Sequence, residues 1–242
     1  MSTLKITIPD MGDFKNVEII EVLVKEGYRV AITGRRLPLL EALKQKFPNQ
    51  ILVKQNDIQD IQEVENVFSE IVSEFGTIDL IVQSSGVGFV NPKLEWSKEE
   101  QSINTNVLGV TKLYTLAYNL FRAQQFGHLV GITSIASIRG NRAAPVYFAS
   151  KAYQKAYLES LYIKTKSIKS KRVFITEIRP GFIDTAMALG EAIFWMVPLE
   201  KATNQIYSAI KSKKRVAYIS KRWQLIAWAL KLAPAWLLKK TL

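Results

Sequence analysis

Cysteine is missing from all 242 residues, and histidine occurs once, at His128. Without thiols the chain can form neither disulfides nor thiolate metal sites, so it carries no record of the redox state of its compartment. One imidazole and no thiol leave the common zinc ligand sets incomplete, and no metal is expected. His128, just ahead of an apolar run, is expected at the surface rather than in catalysis. Acidic residues are absent from Lys211 onward, although basic ones recur there. Ser2 to Asp13 has neither the basic start nor the long apolar run of a secretory signal, so a cytoplasmic location is expected. No Pro-, Gly- or Ser-rich tract divides the chain, and its 48% hydrophobic content suffices for one substantial α/β core.

What is present alternates. Apolar runs at Arg29 to Thr33, Ile51 to Val53, Ile78 to Val82, Leu129 to Ile132 and Val173 to Ile178 predict strands. Leu37 to Phe47, Ile61 to Phe75, Ser97 to Phe121 and Pro145 to Ile168 have helical periodicity. Strands alternating with helices imply a single-domain, doubly wound α/β fold, a parallel sheet with helices on both faces. Such sheets bind ligands beyond the carboxyl ends of their strands.

The chemistry sits in one stretch. Tyr147 and Lys151 are four apart in Tyr-Phe-Ala-Ser-Lys, and Ser134 lies thirteen residues ahead of Tyr147. On a helix the pair shares one face, which places the ammonium near the phenolic oxygen. A neighbouring cation favours phenolate and lowers a pKa that starts near 10, so the tyrosine can act as acid or base near neutral pH. Ser134, at the end of the Leu129 to Ile132 strand, can hydrogen-bond a substrate oxygen. A lone Tyr-x-x-x-Lys also describes an aromatic beside a solvated lysine, so the surrounding landmarks decide.

Those landmarks run in order: Thr33-Gly-Arg-Arg36, Asn56-Asp57-Ile58, Gln83-Ser-Ser-Gly86, Asn106-Val-Leu-Gly109, the Ser134 strand, the Tyr147 helix, and Arg179-Pro-Gly-Phe-Ile-Asp-Thr185. From about Tyr28 to Thr185, and more weakly towards the C-terminus, the chain resembles the short-chain dehydrogenase/reductase family, whose fold is of Rossmann type. The resemblance implies an NAD(P)-dependent interconversion of a ketone and a secondary alcohol. It makes Tyr147 the acid/base, Lys151 the ribose ligand that lowers the tyrosine pKa, Ser134 the group steadying the carbonyl, and Asn106 the holder of a relay water. Dinucleotide contacts would come from Arg35, Arg36, Asp57, Ser85, Gly86, Tyr147, Lys151, Pro180, Gly181, Ile183 and Thr185. Gln83-Ser-Ser-Gly86 departs from the family's Asn-Asn-Ala-Gly. Arg35 and Arg36, where an acidic residue would select NAD, favour NADP, with NAD the second choice. Pairing of the Pro145 to Ile168 helices would make a homo-oligomer.

The first 27 residues fit that pattern poorly. The glycines of the family's Thr-Gly-x-x-x-Gly-x-Gly loop should fall at Asp10, Phe14 and Asn16, and none is glycine. Those glycines permit φ > 0 and close approach of the backbone to a pyrophosphate. A side chain forced into that conformation costs about 1–2 kcal/mol. A carboxylate such as Asp10 or Asp13 about 4 Å from a phosphate adds roughly 4 kcal/mol of repulsion at an effective dielectric near 20. Leu4 to Gly27, with its Pro-Asp-x-Gly, resembles the start of a lipoyl domain of a 2-oxo acid dehydrogenase acyltransferase, although the lysine turn of such a domain is absent. That resemblance implies two strands, a β-branched strand from Val17 to Val24, and a chimeric N-terminus. Ile19, Ile20, Leu23 and Val24 also fit one face of a helix.

Net charge is +12, concentrated at Lys164 to Arg172 and from Lys211 onward. No nucleic-acid motif accompanies it, so specific nucleic-acid binding is not expected. Residues 221–242 are expected to form a basic helix carrying Trp223, Trp228 and Trp236, which either lies on an anionic membrane, peripheral at its inner face, or packs on protein. The chain thus divides into an atypical segment 1–27, a core 28–220 and this helix. Gly190 to Leu199, with Phe194, Trp195 and Met196, stands where the family has its substrate lid and suggests an apolar carbonyl or alcohol substrate. Two functions follow: the oxidoreductase, or the same fold with impaired cofactor binding, serving as a binding or membrane-surface protein.

Overall fold

The computed structural model describes residues 3–7, 17–183, 195–234 and 236. Among them seven parallel strands form one sheet: β1 (Thr3–Thr7), β2 (Arg29–Gly34), β3 (Ile51–Gln55), β4 (Leu80–Gln83), β5 (Phe126–Ile132), β6 (Arg172–Pro180) and β7 (Val216–Ile219), in the order β3-β2-β1-β4-β5-β6-β7. The chain direction across the sheet reverses between β1 and β4, the switch point where such sheets open a crevice.

Helices cover both faces. α1 (Val17–Lys25), α2 (Leu37–Lys46) and α7 (Leu199–Lys211) lie on one, and α3 (Ile61–Phe75), α5 (Val110–Gln124) and α6 (Pro145–Thr165) on the other. The strands feed both layers because successive side chains point to opposite faces: Val30 and Ile32 of β2 join the first, and Ala31 the second. α3 is capped by Asp60, whose Oδ1 accepts the Gln62 and Glu63 N–H groups at 3.0 and 2.9 Å.

The N-terminal segment belongs to this sheet. β1 is hydrogen-bonded to β2 on one side and β4 on the other. Val17 to Val24 is helical rather than extended, so the strand-loop-strand implied by the lipoyl resemblance is not formed. The spacing of Ile20, Leu23 and Val24 buries all three against the sheet, and that burial outweighs the β-branched preference. Gly27, at φ 87°, lies in the tight turn between α1 and β2.

Three further features depart from expectation. The helix expected from Ser97 to Phe121 is continuous but changes pitch: α4 (Trp96–Ile103) passes through a π-helical stretch, Asn104–Gly109, into α5. The short β7 and the mostly polar α7 complete the core beyond β6. His128 is buried in the middle of the sheet rather than exposed. Its Nε2 shares a 2.7 Å hydrogen bond with Thr176 Oγ1, and burial, helped by Lys213, pushes its pKa from 6.5 to about 4.

Candidate active site

The ends of β4 and β5 and the start of α6 converge. Ser134 follows β5 in an extended conformation, and its Oγ accepts the Ala136 N–H at 3.1 Å, capping a short 3-10 turn, Ile135–Ile138. Pro145 opens α6, where its missing N–H costs no helical hydrogen bond, so Tyr147 falls in the first turn and Lys151 one turn later. Tyr147 is half-buried, within the influence of the Ser134 hydroxyl, and flanked by Gly88, where a Cβ would come within 2.8 Å of the phenol ring. Desolvation raises the phenol pKa above 10.0, and the Ser134 hydroxyl only partly offsets it.

Lys151 lies one turn beyond Tyr147 and is held by neutral oxygens. Its buried ammonium is 6.0 Å from the Tyr147 ring centroid and donates to the Ile132 carbonyl and to Gln154 Oε1, both at 3.2 Å. Burial drives its pKa from 10.5 down to about 8. Desolvation is the largest influence on both groups.

Asn106 lies in the π-helical stretch, a place where main-chain carbonyls are released from the regular ladder. Its side chain clamps the loop after β4: Oδ1 accepts the Val87 N–H at 2.9 Å, and Nδ2 donates to the Val87 carbonyl at 2.8 Å and to Ser150 Oγ at 3.0 Å. Its carbonyl accepts Gln154 Nε2 at 2.8 Å. The Gln154 carboxamide thus bridges Asn106 to Lys151. Gln154 escaped the sequence reading. Its position three residues after Lys151, on the same face of α6, was the available signal.

Along the neighbouring strand ends, Thr33 Oγ1, Asn56 Oδ1 and Ser85 Oγ are buried without a hydrogen-bond partner among the described residues. Three such atoms, at the carboxyl ends of β2, β3 and β4, mark a surface that a polar ligand would satisfy. Gly86 is tightly enclosed, since a Cβ would lie 3.1 Å from Lys151 Nζ and 3.4 Å from Asn106 Oδ1. Arg35 and Arg36 follow β2, the Arg35 carbonyl accepting Gln55 Nε2 at 3.0 Å. Asp57 Oδ1 accepts the Gln59 N–H at 3.0 Å, and the Asp57 N–H donates to Glu63 Oε2 at 2.7 Å, so both shape the turn before α3.

Pro180 ends β6, and the Gly181 N–H donates to the Ile219 carbonyl at 2.9 Å. No Cβ would fit at Gly181, because the Trp223 indole lies against it. Ile183 bridges Val197. Thr185, the loop positions Asp10, Asp13, Phe14 and Asn16, and Phe194 of the expected lid lie outside the described residues, whereas Trp195 and Met196 are exposed.

A doubly wound parallel sheet with a Ser-Tyr-Lys cluster beyond its carboxyl edge defines an α/β oxidoreductase. The family model of the short chain dehydrogenases matches residues 17–192. An uncharacterised oxidoreductase of Myxococcus xanthus is 31% identical over 170 residues, 68% of this chain and 66% of that one. A 3-oxoacyl-[acyl-carrier-protein] reductase of Bos taurus is 27% identical over 171 residues, 70% of this chain and 71% of that one. The match therefore spans about two thirds of each relative's length. A short-chain dehydrogenase from Streptomyces avermitilis superposes with a TM-score of 0.82 at 17% identity, covering 94% of this chain and 92% of that one. ElxO, solved with NADP bound, gives 0.78 at 18%, covering 93% and 99%. The chain belongs to the short chain dehydrogenase family.

Proposed function

We propose that the protein interconverts an apolar ketone and its secondary alcohol with NADP as the preferred cofactor and NAD as the second, Tyr147 being the acid/base. The observation that carries this reading is the placement of Tyr147 in the first turn of α6, one turn from the buried Lys151 and beside Ser134 at the end of β5. When bound, the nicotinamide supplies or accepts the hydride. In reduction the carbonyl carbon gains the hydride, its π pair moves to oxygen, and that oxygen takes the Tyr147 proton while Ser134 orients it. In oxidation Tyr147, as the phenolate, takes the hydroxyl proton as the carbon gives up its hydride.

The residues present suit a dinucleotide. The unpartnered Thr33, Asn56 and Ser85 atoms and the closely enclosed Gly86 line its expected course. Arg35 and Arg36 would take the additional phosphate of NADP, Asp57 the adenine end, Lys151 the ribose, and Pro180, Gly181, Ile183 and Thr185 the nicotinamide side. Trp195 and Met196 support an apolar substrate, and exposed Tyr153 and Ile163 on α6 suit a homodimer, which sedimentation velocity would read.

NADPH fluorescence titration tests the reading. Saturable micromolar binding at moderate salt is expected, weakened about tenfold in Arg35→Ala, as the loss of one charge-assisted hydrogen bond implies. Tyr147→Phe should keep that binding and lose turnover on apolar ketones. Absence of saturable binding would sink the proposal in favour of a protein that keeps the fold without the cofactor, the reading that Asp10, Phe14 and Asn16 in the first loop favour.

A further inference from the structure

The helix α8 (Arg222–Leu232) is apolar on two sides. Its inner side is accounted for: Trp223 and Ala227 are buried, and the Trp223 ring meets Phe182 edge-on at 5.5 Å. Just beyond the helix, Arg139 Nη2 donates to the Ala233 carbonyl at 3.2 Å. Its outer side is not covered. Leu225, Trp228 and Leu232, spaced three and four apart and so on one face, are 67%, 64% and 85% exposed. Trp236, past the Pro234 break, is 67% exposed. A helix with an apolar face in water has a second surface to meet.

Charge identifies that surface. Lys221, Arg222 and Lys231 are exposed at the borders of the apolar face, and no acidic residue occurs from Lys211 onward. A second copy docked through this face by a two-fold axis would bring the same cations together without counter-charges. An anionic bilayer matches both features, because indoles partition to the headgroup level and lysines and arginines meet the lipid phosphates. Eleven helical residues measure about 16 Å, half of a hydrocarbon core. No helix among the described residues is long and apolar enough to cross a membrane.

We infer that the outer face of α8 is a docking surface for anionic lipid bilayers, with the helix lying in the interface. It borders the site from behind. The 3-10 turn after Ser134 and the Gly181–Phe182 segment after β6 both pack on α8, and the Val197 N–H donates to the Phe182 carbonyl at 2.9 Å, joining exposed Trp195 and Met196 to the same rim. Docking would therefore set the rim of the proposed substrate cleft against lipid. The binding itself is independent of the redox reaction, so its failure and that of the reductase reading are separable.

The test is flotation of the full chain with vesicles of phosphatidylcholine alone or mixed with phosphatidylglycerol, together with quenching of tryptophan fluorescence by brominated acyl chains. Binding and quenching are expected on the mixed vesicles only. The double substitution Trp228→Ser, Leu232→Ser should weaken partitioning at least about tenfold, as loss of two buried apolar side chains implies. Circular dichroism checks its fold, and Leu225→Ser serves as the second variant should the double one unfold. Absence of flotation, or flotation that the substitutions leave unchanged, overturns the inference. So does sedimentation showing that the substitutions dissociate an oligomer while vesicles bind nothing, which would make the face a contact between copies.

Discussion

Lys151 shows how a functional group can oppose the fold that holds it. Buried with two hydrogen bonds to neutral oxygens, it has a pKa of about 8 against 10.5 for the unperturbed side chain. A lysine whose folded pKa is depressed carries its full penalty below the folded value and loses it as pH rises towards 10.5. That difference amounts to about 3 kcal/mol at neutral pH. Lys151→Met should therefore raise the stability of the cofactor-free protein at pH 7 by roughly 1–3 kcal/mol in urea unfolding, with the advantage shrinking above pH 8. An unchanged or lower midpoint would show that the two hydrogen bonds already compensate the charge. NADPH affinity should move the other way, falling in the wild type as pH passes about 8 and the ammonium is lost, and staying flat in Lys151→Met.

At the scale of the element, β6 joins the site to the core. Glu177 and Arg179, two apart and so on one face, form a buried pair: Arg179 Nη2 and Nε donate to Glu177 Oε2 and Oε1 at 2.6 and 2.8 Å. Thr133 Oγ1 donates to the same carboxylate at 2.9 Å, and Arg179 Nη1 donates to Tyr218 Oη at 2.7 Å, tying β5 and β7 to β6 immediately below Pro180. Glu177→Ala leaves a guanidinium without its counter-charge, and should cost about 3–5 kcal/mol. Chemical unfolding followed by circular dichroism reads this, and a loss under about 1 kcal/mol would show the pair to be dispensable. The Arg-Pro-Gly landmark was legible in the sequence as a site motif, but the partner that holds its arginine was not. Glu177 lies within an apolar run, and only the register of β5, β6 and β7 brings Thr133 to it and Tyr218 to Arg179.

At the scale of the whole molecule, the central histidine links stability to acid pH. His128 is held neutral with a pKa of about 4 against 6.5 unfolded. The unfolded chain therefore binds a proton that the folded chain refuses between those values, and stability falls as pH drops through that window, by about 3 kcal/mol in full. Thermal unfolding should show a lower midpoint at pH 4.5 than at pH 7, and His128→Leu should lessen that drop. Equal drops in both proteins would assign the acid sensitivity to other groups. The sequence placed His128 at the edge of a strand and implied exposure. The structure buries it because β5 begins at Phe126, earlier than the apolar run suggests, with β4 and β6 on either side.

The alternation of apolar runs and helical faces, and the ordered landmarks ending in Tyr147 and Lys151, determined from sequence alone the doubly wound sheet and the family. These are local signals: period two or period three to four along the chain, and residue types at fixed spacing. Tertiary structure decided the rest, because each remaining question depended on what lies across space. Burial against the sheet made Val17 to Val24 a helix. The π-helical stretch opened the Asn106 carbonyl to Gln154, and that carboxamide drew the Lys151 ammonium to itself. Desolvation, which no spacing encodes, then raised the tyrosine pKa and lowered that of the lysine.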